Sequence, residues 1–242
     1  MSRLNRELQS NKRKKCSKGV VIEQSSYLLR GLSHIMAKIR GFHAEIIKDR
    51  FKRIVEAQNY AFFDGNKPYN VNILGIRNSN GRPNKFDDVL LVIYRDAHKR
   101  WLVDSYQLTT DPGFYWMKRP MNVDGTAILC PGQYRGVYRI SKHRGKYDAL
   151  CQRAGDVTVW RDSNRDLEHD MLDETKDTGR FGINIHKGGR NSSRVEKYSA
   201  GCQVFKNDSD FNEFMATMKT AKGRFGNSFT YTLLESEDLE IK

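Results

Sequence analysis

The chain has 242 residues, 38% hydrophobic and 29% charged, with a formal net charge of +13 at pH 7. That balance excludes a disordered polyelectrolyte, and no apolar run approaches the roughly 18 residues that a membrane-spanning helix needs. The four cysteines, Cys16, Cys130, Cys151 and Cys202, have no paired spacing, which excludes a disulfide framework and a zinc pattern and leaves four free thiols.

In chain order, residues 1–60 carry 14 Lys and Arg against 5 acidic residues, most of the net charge. A basic arm of this kind seeks a polyanion, such as nucleic acid, anionic lipid or an acidic wall polymer, or serves only to keep the chain soluble. Its first 19 residues lack the apolar core and cleavage site of a secretory signal, so the chain is expected to be made in a cytoplasm and to leave it by other means. From Val20 to Ala57, Leu28, Leu32, Ile35, Ile39, Phe42 and Ile46 fall on one stripe of a helix, weakened at Gly31 and Gly41, which leaves a break into two shorter helices open. Such a stripe packs on the main domain, pairs with its copy in a second chain, or docks onto a partner.

After Asn70 the texture turns to short β-rich runs, at 69–77, 87–96, 99–110, 125–140 and 156–162, punctuated by Asn80-Gly81, Pro112-Gly113 and Pro131-Gly132. A further strand is expected over Phe181–His186. The stretch 209–223 reads as a helix, with Asp210 and Glu213 as a capping box, Phe211, Phe214, Met215 and Met218 on one face, and Gly223 as its stop. "FTYTLL" closes as a strand. The spacing predicts a mainly β (α+β) chain: a helical arm over 1–60, then one β-rich domain over 61–242.

His186 ends its predicted strand, and Ser199-Ala200-Gly201-Cys202 follows after a loop. Cysteine chemistry needs a base for the thiol proton, a group that orients the base, and N–H donors for an oxyanion. A strand-end histidine and a cysteine after glycine meet those needs if the loop folds back, and proximity of an imidazolium would lower the thiol pKa. Gly201 lets the backbone approach a substrate and turns its N–H, with that of Cys202, toward developing charge.

The wording "NIHKGG…YSAGCQVF" resembles the catalytic signature of the L,D-transpeptidase family, in which a strand-borne histidine precedes Ser/Thr-x-Gly-Cys. The resemblance implies a β-sandwich or barrel catalytic domain, with Cys202 as nucleophile and His186 as base. It further implies that the Lys187 carbonyl orients the imidazole, while Ser199 and Gly201 shape the cysteine turn at the substrate. The chain departs from the family at Ala200, where a histidine is usual, and in lacking an arginine two residues past the cysteine. Arg190 and Arg194, in the loop, are candidates to supply that charge, with solvated loop arginines as the simpler reading. Over much of residues 68–234 the chain is similar to domains of this type encoded by tailed phages of Bacteroidetes hosts. The resemblance implies a peptidoglycan enzyme that forms a thioester with a stem peptide and needs no cofactor. It would be a phage lysin or virion-associated hydrolase, or an L,D-transpeptidase, reaching the wall after release or inside the particle.

Two readings from other classes stand beside it. One is a virion structural or cargo protein on an inactive fold of this type, docked or self-associated through residues 20–57. The other is a nucleic-acid-binding protein, supported by charge alone. Among secondary sites, His143 is a candidate second imidazole at the substrate. Tyr134, Tyr138 and Tyr147 read as sheet packing, Trp101, Trp116 and Trp160 as core, and Cys130 and Cys151 as inert filler. Asp162, Asn164, Asp166, Glu168, Asp170 and Asp173 fall at the offsets of an oxygen-ligand calcium loop. Leu167 stands where glycine is customary, so an acidic surface loop is the simpler reading.

Overall fold

In the computed structural model, which describes residues 38–189 and 192–240, the apolar stripe is broken at Gly41, one of the two glycines that weaken it in the sequence. Its φ of +63° belongs to the left-handed region, and the two residues before it leave the helix altogether. Ile39–Arg40 (β1) pair antiparallel with Trp101–Thr109 (β4), and the helix α1 starts afresh at Phe42–Ala57. The new phase buries Ala44, Phe51, Ile54 and Val55, while Phe42 and Ile46 stay 76% and 50% exposed. Leu28, Leu32 and Ile35 lie outside the described residues.

The partners of α1 are dictated by alternation along two strands, Asn72–Arg77 (β2) and Asp88–Arg95 (β3). Leu74, Ile76, Val89, Leu91 and Ile93 face Phe51, Ile54 and Val55, whereas Ile73, Leu90, Val92 and Tyr94 face a second, larger core. Both faces of these strands are apolar because both are covered, so a continuous apolar run replaces the usual alternation. The described part of the basic arm is therefore packed on the β domain.

Eight strands close into a barrel. Gly132–His143 (β6), Tyr147–Gln152 (β7), Ile185–Lys187 (β10), Gln203–Phe205 (β11) and Phe229–Glu235 (β12) join β2, β3 and β4 in the order β4-β11-β10-β7-β6-β12-β2-β3, and β3 returns to β4. Two pairings are parallel, β10 with β11 and β12 with β2; the others are antiparallel. A smaller antiparallel sheet is formed by Thr126–Leu129 (β5), Val157–Asp162 (β8) and Asp177–Gly179 (β9), in the order β5-β8-β9. Residues 125–140 thus split between two sheets at Pro131, which has no N–H for a ladder. The strand expected over Phe181–His186 is confined to Ile185–Lys187. β7 lies in a stretch whose polar start hides its apolar end.

Among the described residues there are two longer helices, α1 and α3 (Asp208–Phe225), and one short one, α2 (Phe114–Lys118). The start and stop of α3 both differ from the sequence expectation. It is entered at Asn207, whose side chain hydrogen-bonds Asp210 at 3.1 Å, and runs through Gly223 to end at Gly226, φ +84°. Phe211, Phe214, Met215 and Met218 do share its buried face, against Phe205 and Tyr106. None of these helices is long and apolar enough to cross a membrane.

Candidate active site

The parallel pairing of β10 with β11 sets Ile185 beside Gln203 and His186 beside Val204, which brings the residues just before each strand together. Cys202 and His186 consequently line one cavity of about 450 Å³. The loop between them is clamped to the body by Asn84, which accepts the N–H of Glu196 at 2.6 Å and donates to its carboxylate at 2.7 Å. Gly113 N–H holds the Ser199 carbonyl at 3.0 Å.

His186 is 5% exposed, and its Nδ1–H donates to the Lys187 carbonyl at 2.8 Å. A carbonyl accepts only, so the proton sits on Nδ1 and the lone pair of Nε2 is left free. Burial, with the neighbouring His143 and Arg144 charges, pushes its pKa down to about 3. The Lys187 ammonium itself pairs with Asp208 at 2.8 Å.

His143 stacks on His186, the ring centroids 4.1 Å apart and the planes 24° from parallel. Asn184 fixes its tautomer. The Asn184 Oδ1 accepts the backbone N–H of Gln152 at 2.9 Å, so its Nδ2 must donate to His143 Nδ1 at 3.2 Å. His143 therefore carries its proton on Nε2, and its pKa is lowered by burial and by Arg144 and Arg153. One ring of the stack offers a lone pair, the other an N–H. Asn184 is a site residue that the sequence reading missed. Its signal was present, since positions i and i+2 of an extended chain share a face, and Asn184 stands two residues before His186.

Cys202 is half-buried. It donates to the Gly182 carbonyl at 3.5 Å and accepts the Asn184 N–H at 3.4 Å. Burial pushes its pKa up to about 11, against the lowering influence of Asn184 N–H and Arg144. This reverses the expectation of a thiol acidified by an imidazolium: the thiol and the imidazole that line the cavity are both neutral at rest.

Gly201 adopts φ +112°, and a Cβ there would lie 2.4 Å from the Ala127 carbonyl oxygen, so only glycine fits. Its N–H, expected to face an oxyanion, instead donates to Ser199 Oγ at 3.1 Å. Ser199 Oγ in turn donates to the Cys202 carbonyl at 2.8 Å. Ser199 is wholly buried beneath the turn and does not reach the cavity, which corrects its placement at the substrate. Gln203, also wholly buried, donates to the Gly201 carbonyl and accepts from Tyr231 at 2.9 Å. Val204, where the family arginine would stand, is buried against Phe86 and Val195.

Of the two loop arginines, the one described, Arg194, does not line this cavity. Arg194 lines a separate pocket beside Arg82 and Lys85, and Arg190 lies outside the described residues. Arg144, Arg153 and Arg161 line the cavity instead, with no carboxylate on its wall among the described residues. Arg161 is bound to Asp177 at 2.9 Å and stacked over Phe181, whereas Arg144 and Arg153 make no ion pair among the described residues. Arg144 and Arg153 directly follow β6 and β7 and Arg161 lies in β8, all remote in sequence from the cysteine motif, and they carry no local signature. Tyr138 is core, Tyr134 donates to the Cys130 carbonyl, and Tyr147 stacks beside His143. Cys130 and Cys151 are buried, and Trp101 and Trp160 are core, whereas Trp116 is only partly covered and donates to the Lys197 carbonyl. No family model, curated protein or solved structure matches the chain.

Proposed function

We propose that this protein is a cysteine acyl-transfer enzyme acting on peptidoglycan stem peptides, of the L,D-transpeptidase type and deployed by a phage against its host's wall. The observation that carries the reading is a single cavity lined by Cys202 and by His186, the latter with Nε2 free and Nδ1 tied to the next residue's carbonyl. The unpaired Arg144 and Arg153 suit a substrate that bears carboxylates.

With a high thiol pKa and a low imidazole pKa, the reaction is general-base catalysis and not attack by a standing thiolate. On substrate binding Sγ turns from Gly182 toward His186 Nε2, gives it the proton and attacks the amide carbon. The C–N bond breaks, the imidazolium returns the proton to the departing amine, and an acyl group remains on Cys202 as a thioester. Water or a second amine then attacks the thioester, with His186 again taking the proton. Because Gly201 N–H is committed to Ser199, the oxyanion donors are Cys202 N–H and the Nε2–H of His143.

The test is incubation with muropeptides from a diaminopimelate-type wall, beside Cys202→Ala, with products and intact protein followed by mass spectrometry. New fragments or crosslinks, and an acylated wild-type chain, are expected from the wild type alone. A second reading, a virion structural protein on an inactive fold, draws on the thiol's hydrogen bond to Gly182 and its raised pKa. Absence of both turnover and acylation on every stem length supports that reading and sinks the enzyme.

A further inference from the structure

The loop after β8, Asp162–Asp173, departs from an ordinary acidic surface loop in one respect. Asp162 is 1% exposed, and its Oδ1 is buried with no hydrogen-bond partner. Its other oxygen accepts only the Asp170 N–H, at a long 3.4 Å. A buried carboxylate oxygen without a hydrogen-bond donor is costly, and native structures seldom leave one so. The neighbouring cations are engaged elsewhere, Arg161 with Asp177 and Lys176 with Asp173, while the His169 ring lies with its Nδ1 3.8 Å from Asp111.

What stands in for positive charge is an amide. Asn164 Nδ2 donates to Asp166 Oδ2 at 2.8 Å and to Asp170 Oδ2 at 2.6 Å, gathering two carboxylates around one N–H₂ group. The backbone already winds as a ligand loop must. Asn164 Oδ1 accepts the Asp166 N–H and Asp166 Oδ1 the Glu168 N–H, each two residues ahead. Arg165 and Leu167 stand at φ +66° and +77°. The sequence objection to Leu167, that a glycine is customary there, is thus met by the chain's conformation: leucine adopts the turn that glycine would. With the amide at the centre, no three His, Cys, Asp or Glu side chains among the described residues are gathered closely enough to hold a metal.

We propose that Asp162–Asp170 is a calcium site, in which the ion takes the position of the Asn164 amide nitrogen. Its protein ligands are the carboxylates of Asp162, Asp166 and Asp170 and the side-chain oxygen of Asn164 once that amide has turned over. Asp173, the twelfth position, is left out because it serves Lys176 and Trp160 from an exposed 3-10 turn, Asp173–Thr175; water fills its place. An all-oxygen set on an irregular loop suits calcium, which accepts varied geometry, better than magnesium, which demands an octahedron and sheds water reluctantly. The ion would join β8, which carries Arg161 into the cavity, to the loop beyond it. The proposal is independent of the cysteine chemistry.

The experiment is thermal unfolding of the full chain in EDTA, in calcium chloride and in magnesium chloride, with calcium titration by calorimetry. Calcium at about a hundredfold excess over its Kd is expected to raise Tm by roughly 5–10 °C. Asp162→Asn removes the stranded charge, so it should melt above the wild type in EDTA and lose the calcium response. An Asp166→Asn, Asp170→Asn double variant should also lose it. No calcium response in the wild type overturns the proposal, as does a response retained by the double variant. A magnesium response equal to calcium's overturns the choice of ion.

Discussion

The imidazole planes of His143 and His186 lie nearly parallel with their centroids 4.1 Å apart, and each ring holds its proton on the opposite nitrogen from the other. Two rings at that spacing, both buried, carry at most one positive charge between them. The tautomers are assigned by second partners, the Lys187 carbonyl for one and the Asn184 amide for the other. Proton-decoupled ¹⁵N spectra of the imidazoles should therefore show an Nδ1–H ring and an Nε2–H ring in the resting protein. Asn184→Ala should release His143 to a mixture of tautomers while His186 keeps its own. Two Nε2–H rings in the wild type would refute the assignment.

The depressed pKa of His186 makes stability depend on pH with a definite sign. The unfolded histidine titrates near 6.5 and the folded one near 3, so between those values the unfolded chain binds more protons. The contribution is complete above about pH 6.5 and is lost as pH falls toward 3. His186→Gln removes this dependence. Between about pH 6 and 4 the stability of the wild type relative to the variant should fall by about 1.4 kcal/mol per pH unit. Denaturant midpoints that run parallel across that window would count against a buried neutral imidazole.

A thiol pKa near 11 predicts slow alkylation of Cys202 at neutral pH. Its rate with iodoacetamide, in a Cys16→Ser, Cys130→Ser, Cys151→Ser background, should rise about tenfold per pH unit from 7 to 10. A rate already level between pH 5 and 7 would mean a standing thiolate–imidazolium pair and a different first step.

Ser199 supports the cysteine turn from beneath. Ser199→Ala strands the Gly201 N–H and the Cys202 carbonyl, at a cost of about 1–3 kcal/mol. Gly201→Ala should be the more damaging, because its Cβ meets the Ala127 carbonyl and its φ is wrong for alanine. Urea unfolding of both variants checks the order; if Gly201→Ala is the milder, the turn is not held as described.

Helix α1 should behave as part of the folded domain. Phe51→Ala, at 3% exposure, is expected to cost about 3–5 kcal/mol. Phe42→Ala, at 76%, should cost under about 0.5 kcal/mol. Equal effects would mean that α1 does not rest on the barrel.

Some of this was legible in the residues and some was not, for physical reasons. The strands β2, β3, β4 and β12 announced themselves by β-branched and aromatic runs, and the face of α3 by its spacing. The weak point at Gly41 was legible, but not that the helix restarts there in a new phase and leaves Phe42 exposed, since periodicity carries no phase across a break. Capping signals placed the N-cap of α3 three residues late, at Asp210 instead of Asn207, and ended it at Gly223, because tertiary packing carried the helix past a residue that propensity alone would stop at. At the site, the pairing of His186 with a following carbonyl is local and was foreseeable. The commitment of Gly201 N–H to Ser199 depends on how a four-residue turn closes. The arginines of the cavity depend on barrel closure, which joins strands that no local pattern relates.

That closure has an order built into it. β12 is the last strand of the barrel in sequence, yet it lies between β6 and β2, parallel to the latter. A nascent chain that has just delivered Cys202 from the ribosome has both chemistry-bearing side chains but an open sheet, lacking the strand that joins its two halves. The barrel closes only when Phe229–Glu235 slots in, where Tyr231 donates to the Gln203 next to the cysteine, so the thiol's setting waits on a strand made after it.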